Sequence, residues 1–379
     1  MTSIVELIAW ERGERLEDGL RGFLQCYVCH PELSIYLDGL LRCLRRLERR
    51  GDSLGPEVAA SVQDALGFVP RFGRAGKPRL AFIDHSFHTK TLSSMFFVEF
   101  LRTEYEVDLF WSYGWRGATD HHLRSIIAQY DRIVFWQVFP PADIPVPGHK
   151  RIFIVPMLDA VASQPDTFFN PYKEFRFIAF GRALARRLLA CGLQVTLASA
   201  PPPRPIKLCK RTQRDRPRVH FWQRTTSFDW RQVSELLCPE QIDGVWLQAH
   251  ADPQQSIQMP TASDIRKFNI QQRPWSSGRI EHERLLGECD LYIAPRLVEG
   301  IGMSVLEAMA MGCVPVVNDE PALNEYVDTN VGYLYRVAEL RPLDIRNMDE
   351  KRLRIPAHLE KLEVRWSESA TAVSRLLAS

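Results

Sequence analysis

From Arg79 onward the chain alternates short apolar runs with helical patterns, and this rhythm constrains the fold more than any single motif. Strand candidates are Arg79 to Asp84, Val107 to Ser112, Arg132 to Val138, Arg151 to Pro156, Phe175 to Phe180 and Gln194 to Ser199. Between them lie helical stretches such as "SSMFFVEFLRTEY", "HHLRSIIAQY" and "GRALARRLLACG". Such alternation is the pattern of βαβ units and a parallel sheet. It restarts with "VHFWQR", "DGVWLQAH", "DLYIAP" and "CVPVV" as strands. The helices of this half are "DWRQVSELL", "GRIEHERLLGEC", "MSVLEAMAMG" and "EPALNEYV". Two Rossmann-like domains are therefore predicted.

Four parts follow from where the rhythm breaks. Residues 1–75 read as a helical extension, closed by the basic, glycine-rich "RFGRAGKPR". Residues 76–205 form the first Rossmann-like domain and 206–340 the second, joined through the proline-rich, basic "APPPRPIKLCKRTQRDRPR". Residues 341–379 are a tail, charged and irregular at first and helical in "SESATAVSRLLAS".

Composition excludes some classes. A net charge of +2 gives no reason to expect a nucleic acid partner. No run approaches the roughly 18 apolar residues of a membrane-spanning helix, and the first residues lack the layout of a secretory signal. The expectation is a cytoplasmic protein whose eight cysteines are free thiols. Cys26-Tyr27-Val28-Cys29-His30 resembles a haem-attachment pattern, but no second Cys/His pair lies near it. The helix at 31–50 carries a basic face of Arg42, Arg45, Arg46, Arg49 and Arg50. Two readings of it stay open: a solvated face, or a peripheral contact with a protein or the inner face of a membrane.

The richest chemistry lies in "RLVEGIGMSVLEAMAMGCVPVV", Arg296 to Val317. Its glycines occupy a strand-to-helix turn at the carboxyl edge of a parallel sheet, where ligands of doubly wound folds bind. A helix N-terminus offers unpaired N–H groups and a positive dipole end, and Gly300 and Gly302 admit close approach of a phosphate. Glu299 and Glu307 would repel that phosphate, so they should take hydroxyl-rich groups on either side of it. The ligand implied is a diphosphate between polyols, as in a nucleotide sugar. A structural alternative exists: Ser304 and Glu307 fit a capping box, and the glycines could serve the turn alone.

The segment Glu288 to Tyr335 resembles the donor site of retaining glycosyltransferases of family 4, in glutamate, seven residues, glutamate, then "EAMAMGCVPVV" and Glu325. The resemblance implies a GT-B architecture, two Rossmann-type domains facing a cleft, with the last helix packing back on the first domain. It implies that Glu299 contacts the donor sugar and Glu307 the ribose. The backbone of Gly300, Ile301, Gly302, Met303 and Ser304 would contact the diphosphate. In "HFWQRTTSFDW" Arg224 matches the family's arginine that neutralises the leaving diphosphate. The lysine usual five residues later is Asp229, with Arg231 the nearest basic substitute.

The acceptor side departs from the family pattern. The usual glycine-rich loop after the first strand is replaced by "DHSFHTKTLSS", which makes His85, His88 and Lys90 acceptor-side candidates. Asp159, at the end of the fourth strand, is a catalytic candidate facing the cleft, and Gly114 to His122 could line it. There is no D-x-D and no histidine–carboxylate cluster of metal-ligand spacing, so neither metal nor cofactor is expected. The resulting expectation is a retaining glycosyltransferase for a carbohydrate or lipid-linked acceptor in surface glycan synthesis. Competing readings are a non-catalytic glycosyltransferase-like subunit, an NAD-dependent oxidoreductase using Asp319 or Glu320, and a nucleotide-sugar epimerase.

Overall fold

The computed structural model describes residues 77–379 except 86, 92, 113–129, 141–150, 204–214, 253–254 and 274–278. The expected helical extension, its basic helix, Cys26 to His30, Gly114 to His122, the helical run at 121–129 and most of the linker lie outside the described residues.

Among the described residues there are two sheets of six strands, and every strand pair with a defined register is parallel. The first contains β1 (Arg79–His85), β2 (Glu106–Ser112), β3 (Arg132–Trp136), β4 (Ile152–Val155), β5 (Arg176–Phe180) and β6 (Gln194–Ala198), in the order β2-β1-β3-β4-β5-β6. The helices interleaved with it are α1 (His88–Thr91), α2 (Met95–Leu101), α3 (Leu158–Val161) and α4 (Arg182–Ala190). Leu80 to Ile83, Ile133 to Trp136 and Ile152 to Val155 are all buried, as expected of parallel strands covered on both faces. Phe82, Phe97 and Trp136 pack ring against ring in this core.

The second sheet contains β7 (Arg218–Gln223), β8 (Gly244–Ala249), β9 (Ile270–Arg273), β10 (Leu291–Ile293), β11 (Val314–Asn318) and β12 (Tyr333–Tyr335), in the order β12-β11-β10-β7-β8-β9. Its helices are α5 (Trp230–Leu236), α6 (Ala262–Lys267), α7 (Arg279–Gly287), α8 (Met303–Ala310) and α9 (Leu323–Tyr326). Every expected strand forms. The two edge strands β9 and β12 were not expected from the apolar pattern.

The chain ends in α10 (Met348–Ala378), 31 residues long, where sequence reading placed an irregular charged segment before the final helical run. Its buried residues explain the difference. Met348, Lys351, Ile355, Leu359, Leu362, Val373 and Leu377 recur at helical spacing, so one narrow stripe is covered while most of the charged residues lie outside it. The stripe packs on β6, β11 and α8, and Pro356 lies within the helix without ending it.

The chain divides into two compact units. The first takes the described residues up to Pro156 together with Phe169–Phe177 and Ser379, and the second takes Met157–Phe168 and Ile178–Ala378. The short segment Met157–Phe168 thus belongs with the second sheet, and with it Asp159.

The stripe on α10 supplies a direct test of what holds the C-terminus. Leu359 is 0% exposed and Leu353 is 80% exposed. In urea denaturation, Leu359→Ala should lower the unfolding free energy by about 2–5 kcal/mol, whereas Leu353→Ala should change it by less than about 0.5 kcal/mol.

Candidate functional site

In the second sheet the chain passes from β7 to β8 on one side and returns to the other side of β7 with β10. Loops that leave the carboxyl ends of these strands diverge there and open a crevice. Arg224 follows β7 directly, Asp252 lies three residues beyond β8, and Arg296 lies three residues beyond β10. The turn Glu299 to Gly302 then starts α8.

That turn requires its glycines. Gly302 is the N-cap of α8 at φ 81°, in the left-handed region, and a Cβ there would also lie 2.8 Å from Leu323 Cδ2. A Cβ at Gly300 would lie 2.8 Å from Met157 Cβ. No side chain caps α8, so the capping box of Ser304 and Glu307 does not form. The first N–H groups of the helix remain available to an anion.

Beside the turn lies a charge cluster. Asp252 accepts from two arginines: Arg224 Nε bonds its Oδ1 at 2.8 Å, and Arg296 Nε bonds its Oδ2 at 3.1 Å. Arg296 also reaches Asp159 Oδ2 through Nη1 at 3.0 Å and lies 4.0 Å from Glu299 Oε2. Arg224 stacks over Trp222 with Cζ 4.1 Å from the ring centre. Burial works against the charge of Arg296, but Glu299, Asp252 and Asp159 outweigh it and hold its pKa above the usual arginine value. Burial pushes the Glu299 carboxyl above the usual glutamate range, against the pull of Arg296 and Arg224. Glu299 therefore keeps its proton to higher pH than an exposed glutamate would.

Beneath the turn, Tyr292 of β10 is fully buried. The Ser304 side chain reaches its hydroxyl without the geometry of a full hydrogen bond, and the charges of Glu299, Arg224 and Glu307 all act on it. Burial chiefly raises its pKa. His220 of β7 stacks on the Tyr292 ring at 5.4 Å and shares a hydrogen bond of 3.2 Å with Gln248. Glu307 is partly exposed and lies 3.7 Å from His282 Nε2 on α7. The two glutamates thus flank one buried phenol, the first enclosed and the second open to solvent.

The segment that carries Met157 and Asp159 is tied down from α4. Arg187 donates to the Val161 carbonyl at 2.8 Å, to the Gln164 carbonyl and to Asp166 at 2.9 Å. The start of α4 is itself held by Glu325, whose carboxylate accepts from the backbone N–H of Arg182 at 2.5 Å and of Ala183 at 3.0 Å. The third glutamate of the motif thus caps a helix, satisfying donors that would otherwise be orphaned.

The remaining predicted residues are placed as follows. Ile301 is buried and Met303 opens α8. Asp229, at the position of the usual lysine, is the buried N-cap of α5 in a capping box with Gln232. Arg231 folds back onto Asp229 at 2.9 Å with its side chain 65% exposed, and among the described residues no bond joins it to Asp252. Asp319 pairs with Arg336 at 3.1 Å. In the first unit, buried Asp84, the next-to-last residue of β1, accepts from Ser94 Oγ, from the His85 N–H at 2.6 Å and from His88 Nδ1 at 2.7 Å. The contact with Asp84 fixes the orientation of the His88 ring. Lys90 lies on the same short helix, α1. Sequence reasoning missed Asp252, Arg296, Tyr292 and His282, of which Tyr292 and Arg296 stood inside the segment Glu288 to Tyr335.

Comparison with known proteins bears on the same segment. Residues 271–340 match the family described as Glycosyl transferases group 1. No curated protein matches the chain in sequence. Among solved structures, Anabaena HepE in complex with UDP is similar at 13% identity and a TM-score of 0.56, over 79% of this chain and 99% of that one. HepE in complex with UDP and glucose gives 14% identity and a TM-score of 0.55 over the same shares. Sucrose-phosphate synthase from Thermosynechococcus elongatus, at 13% identity, covers 79% of this chain and 98% of that one with a TM-score of 0.49. The likeness to HepE is one of fold, the pair of parallel-sheet α/β domains of GT-B proteins.

His220 gives a measurable consequence of the buried layer. Burial, and then the charge of His282, lower its pKa to about 3, with the Gln248 bond opposing. The unfolded chain binds a proton there below about pH 6.5 that the folded protein refuses, so stability falls as pH drops from 6.5 towards 3. Unfolding in urea at pH 5 should show a loss of about 2 kcal/mol from this group relative to pH 8. His220→Gln should remove that part of the acid sensitivity.

Proposed function

We propose that the chain is a retaining glycosyltransferase that moves a sugar from a nucleoside diphosphate sugar to a hydroxyl of a carbohydrate or lipid-linked acceptor. The observation that carries this reading is the pair Glu299 and Glu307 bracketing an uncapped glycine turn at the start of α8, with two arginines beside the first glutamate. The group 1 match covers that turn and both glutamates, which supports the same reading.

The diphosphate sits at the first N–H groups of α8, where the helix dipole favours negative charge. Enclosed Glu299 accepts from hydroxyls of the sugar, and partly exposed Glu307 accepts from the ribose. The bond from the anomeric carbon to the phosphate oxygen breaks as the acceptor oxygen bonds the same carbon from the same face. The acceptor proton passes to the departing phosphate. No protein nucleophile is required, and the arginines stabilise the charge that develops on the leaving group. HepE was solved with UDP, which makes UDP sugars the first donors to test. His88, oriented by Asp84, is assigned to acceptor hydroxyls, with His85 at the end of β1 and Lys90 on the same helix as further candidates. A cytoplasmic place in surface glycan synthesis fits this chemistry, and among the described residues no helix is long and apolar enough to cross a membrane.

The experiment is a thermal-shift screen with UDP, GDP and ADP, followed by sugar release from the matching donors. At least one nucleoside diphosphate should raise the melting temperature, and indifference to all three would sink the proposal. Glu299→Gln should lower turnover at least about a hundredfold. Its folding should survive, because burial already disfavours the charged carboxylate. Glu307→Ala should instead weaken nucleotide binding by about ten- to a hundredfold. A non-catalytic subunit, to which the missing lysine points, would keep its biological activity in both variants.

A further inference from the structure

The substitution of the usual lysine by Asp229 leaves Arg224 without its expected partner cation, and Arg231 lies beside the gap in sequence. The structure assigns the role elsewhere: we propose that Arg296 is the second cation of the diphosphate site, and that Asp252 is a positioning residue which holds Arg224 and Arg296 as a pair. This rests on the glycosyltransferase reading above.

Three observations carry it. First, position 229 has another task, since Asp229 is buried as the N-cap of α5 and draws Arg231 onto itself. Second, Arg296 and Arg224 grip opposite oxygens of one carboxylate, Oδ2 and Oδ1 of Asp252, so their guanidiniums are fixed side by side at the switch point of the sheet. Third, Arg296 lies three residues before Glu299 and 4.0 Å from its carboxylate, where the sugar end of the ligand would lie.

The donor inventory allows both tasks at once. A guanidinium has five N–H donors. Arg296 uses three kinds of contact, Nε and Nη2 to Asp252 and Nη1 to Asp159, and Arg224 uses Nε and Nη2 on Asp252 alone. Each arginine thus has N–H groups to give to phosphate oxygens while its anchor stays in place. Such fixed donors need no reorganisation when charge develops on the leaving group. The charge balance also makes sense of the cluster. Without ligand, two arginines face Asp252, Asp159 and Glu299, so the pair is stabilised in its largely covered position before any diphosphate arrives.

The test compares Arg296→Gln, Arg296→Lys, Asp252→Asn and Arg231→Ala. The probe is whichever of UDP, GDP and ADP stabilises the wild type, set against its own monophosphate. Arg296→Gln should lose most of the extra stabilisation by the diphosphate, with monophosphate binding little changed. Its kcat should fall at least about a hundredfold, a larger effect than on KM for the donor. Arg296→Lys keeps the charge without the fork and should recover part of kcat, which also covers the case in which the glutamine variant fails to fold. Asp252→Asn should reduce kcat with monophosphate binding intact. If Arg231→Ala abolishes the preference for diphosphate and the Arg296 variants do not, Arg231 holds the role and the inference is overturned. Wild-type behaviour in both Arg296 variants overturns it too. Failure of the wild type to respond to any of the three diphosphates marks the underlying reading, rather than this assignment, as wrong.

Discussion

Parallel pairing of β10 with β7 on one side and β11 on the other is the interaction on which the candidate site depends. Strands that run the same way deliver all their carboxyl ends to one edge. Arg224, Asp252 and Arg296 are far apart in sequence, yet each stands within three residues of a strand end and they meet there. An antiparallel neighbour would have sent one of these loops to the opposite edge. The price of the arrangement is a string of crossovers, and the helices that make them bury both faces of the sheet.

Around that edge, support comes from groups that contact no ligand in any reading. Glu325 holds the start of α4, Arg187 of α4 holds the segment Met157–Phe168, and that segment presents Asp159 to Arg296 and Met157 to Gly300. A glutamate that the family pattern makes conspicuous thus acts several contacts away from the turn. The buried layer of Tyr292, His220 and Gln248 supports the turn from below, with a neutral histidine that burial keeps unprotonated.

Much of the fold was legible because parallel strands are buried on both faces and so read as unbroken apolar runs. The strands that escaped notice show the limit. Ile270–Arg273 is "IQQR", an edge strand with two exposed glutamines, and Tyr333–Tyr335 is three residues long. The helix Met348–Ala378 was obscured by its charges and by Pro356, because only one narrow stripe of it is covered. In the site, Glu299, Glu307 and the glycine turn could be read from one segment, since the chemistry of a strand–turn–helix is local. Asp252 could not, as "AHADPQQ" carries no motif and its meaning lies in two arginines brought from β7 and β10. Arg296 stood in plain view but had no role until its partners were known, and Asp229 read as a loss until it proved to be a helix cap.

The contact between Gly300 and Met157 has a further consequence for how such a chain can change. Their atoms leave no room for even one methyl group at position 300. The two positions, 143 residues apart, are therefore constrained as one. Relatives that carry a larger residue in the turn are expected to carry a smaller one at position 157. The freedom of the turn to diversify is set by a segment that lies before the linker, so recombining the two halves of the chain from different relatives would mismatch at this point first.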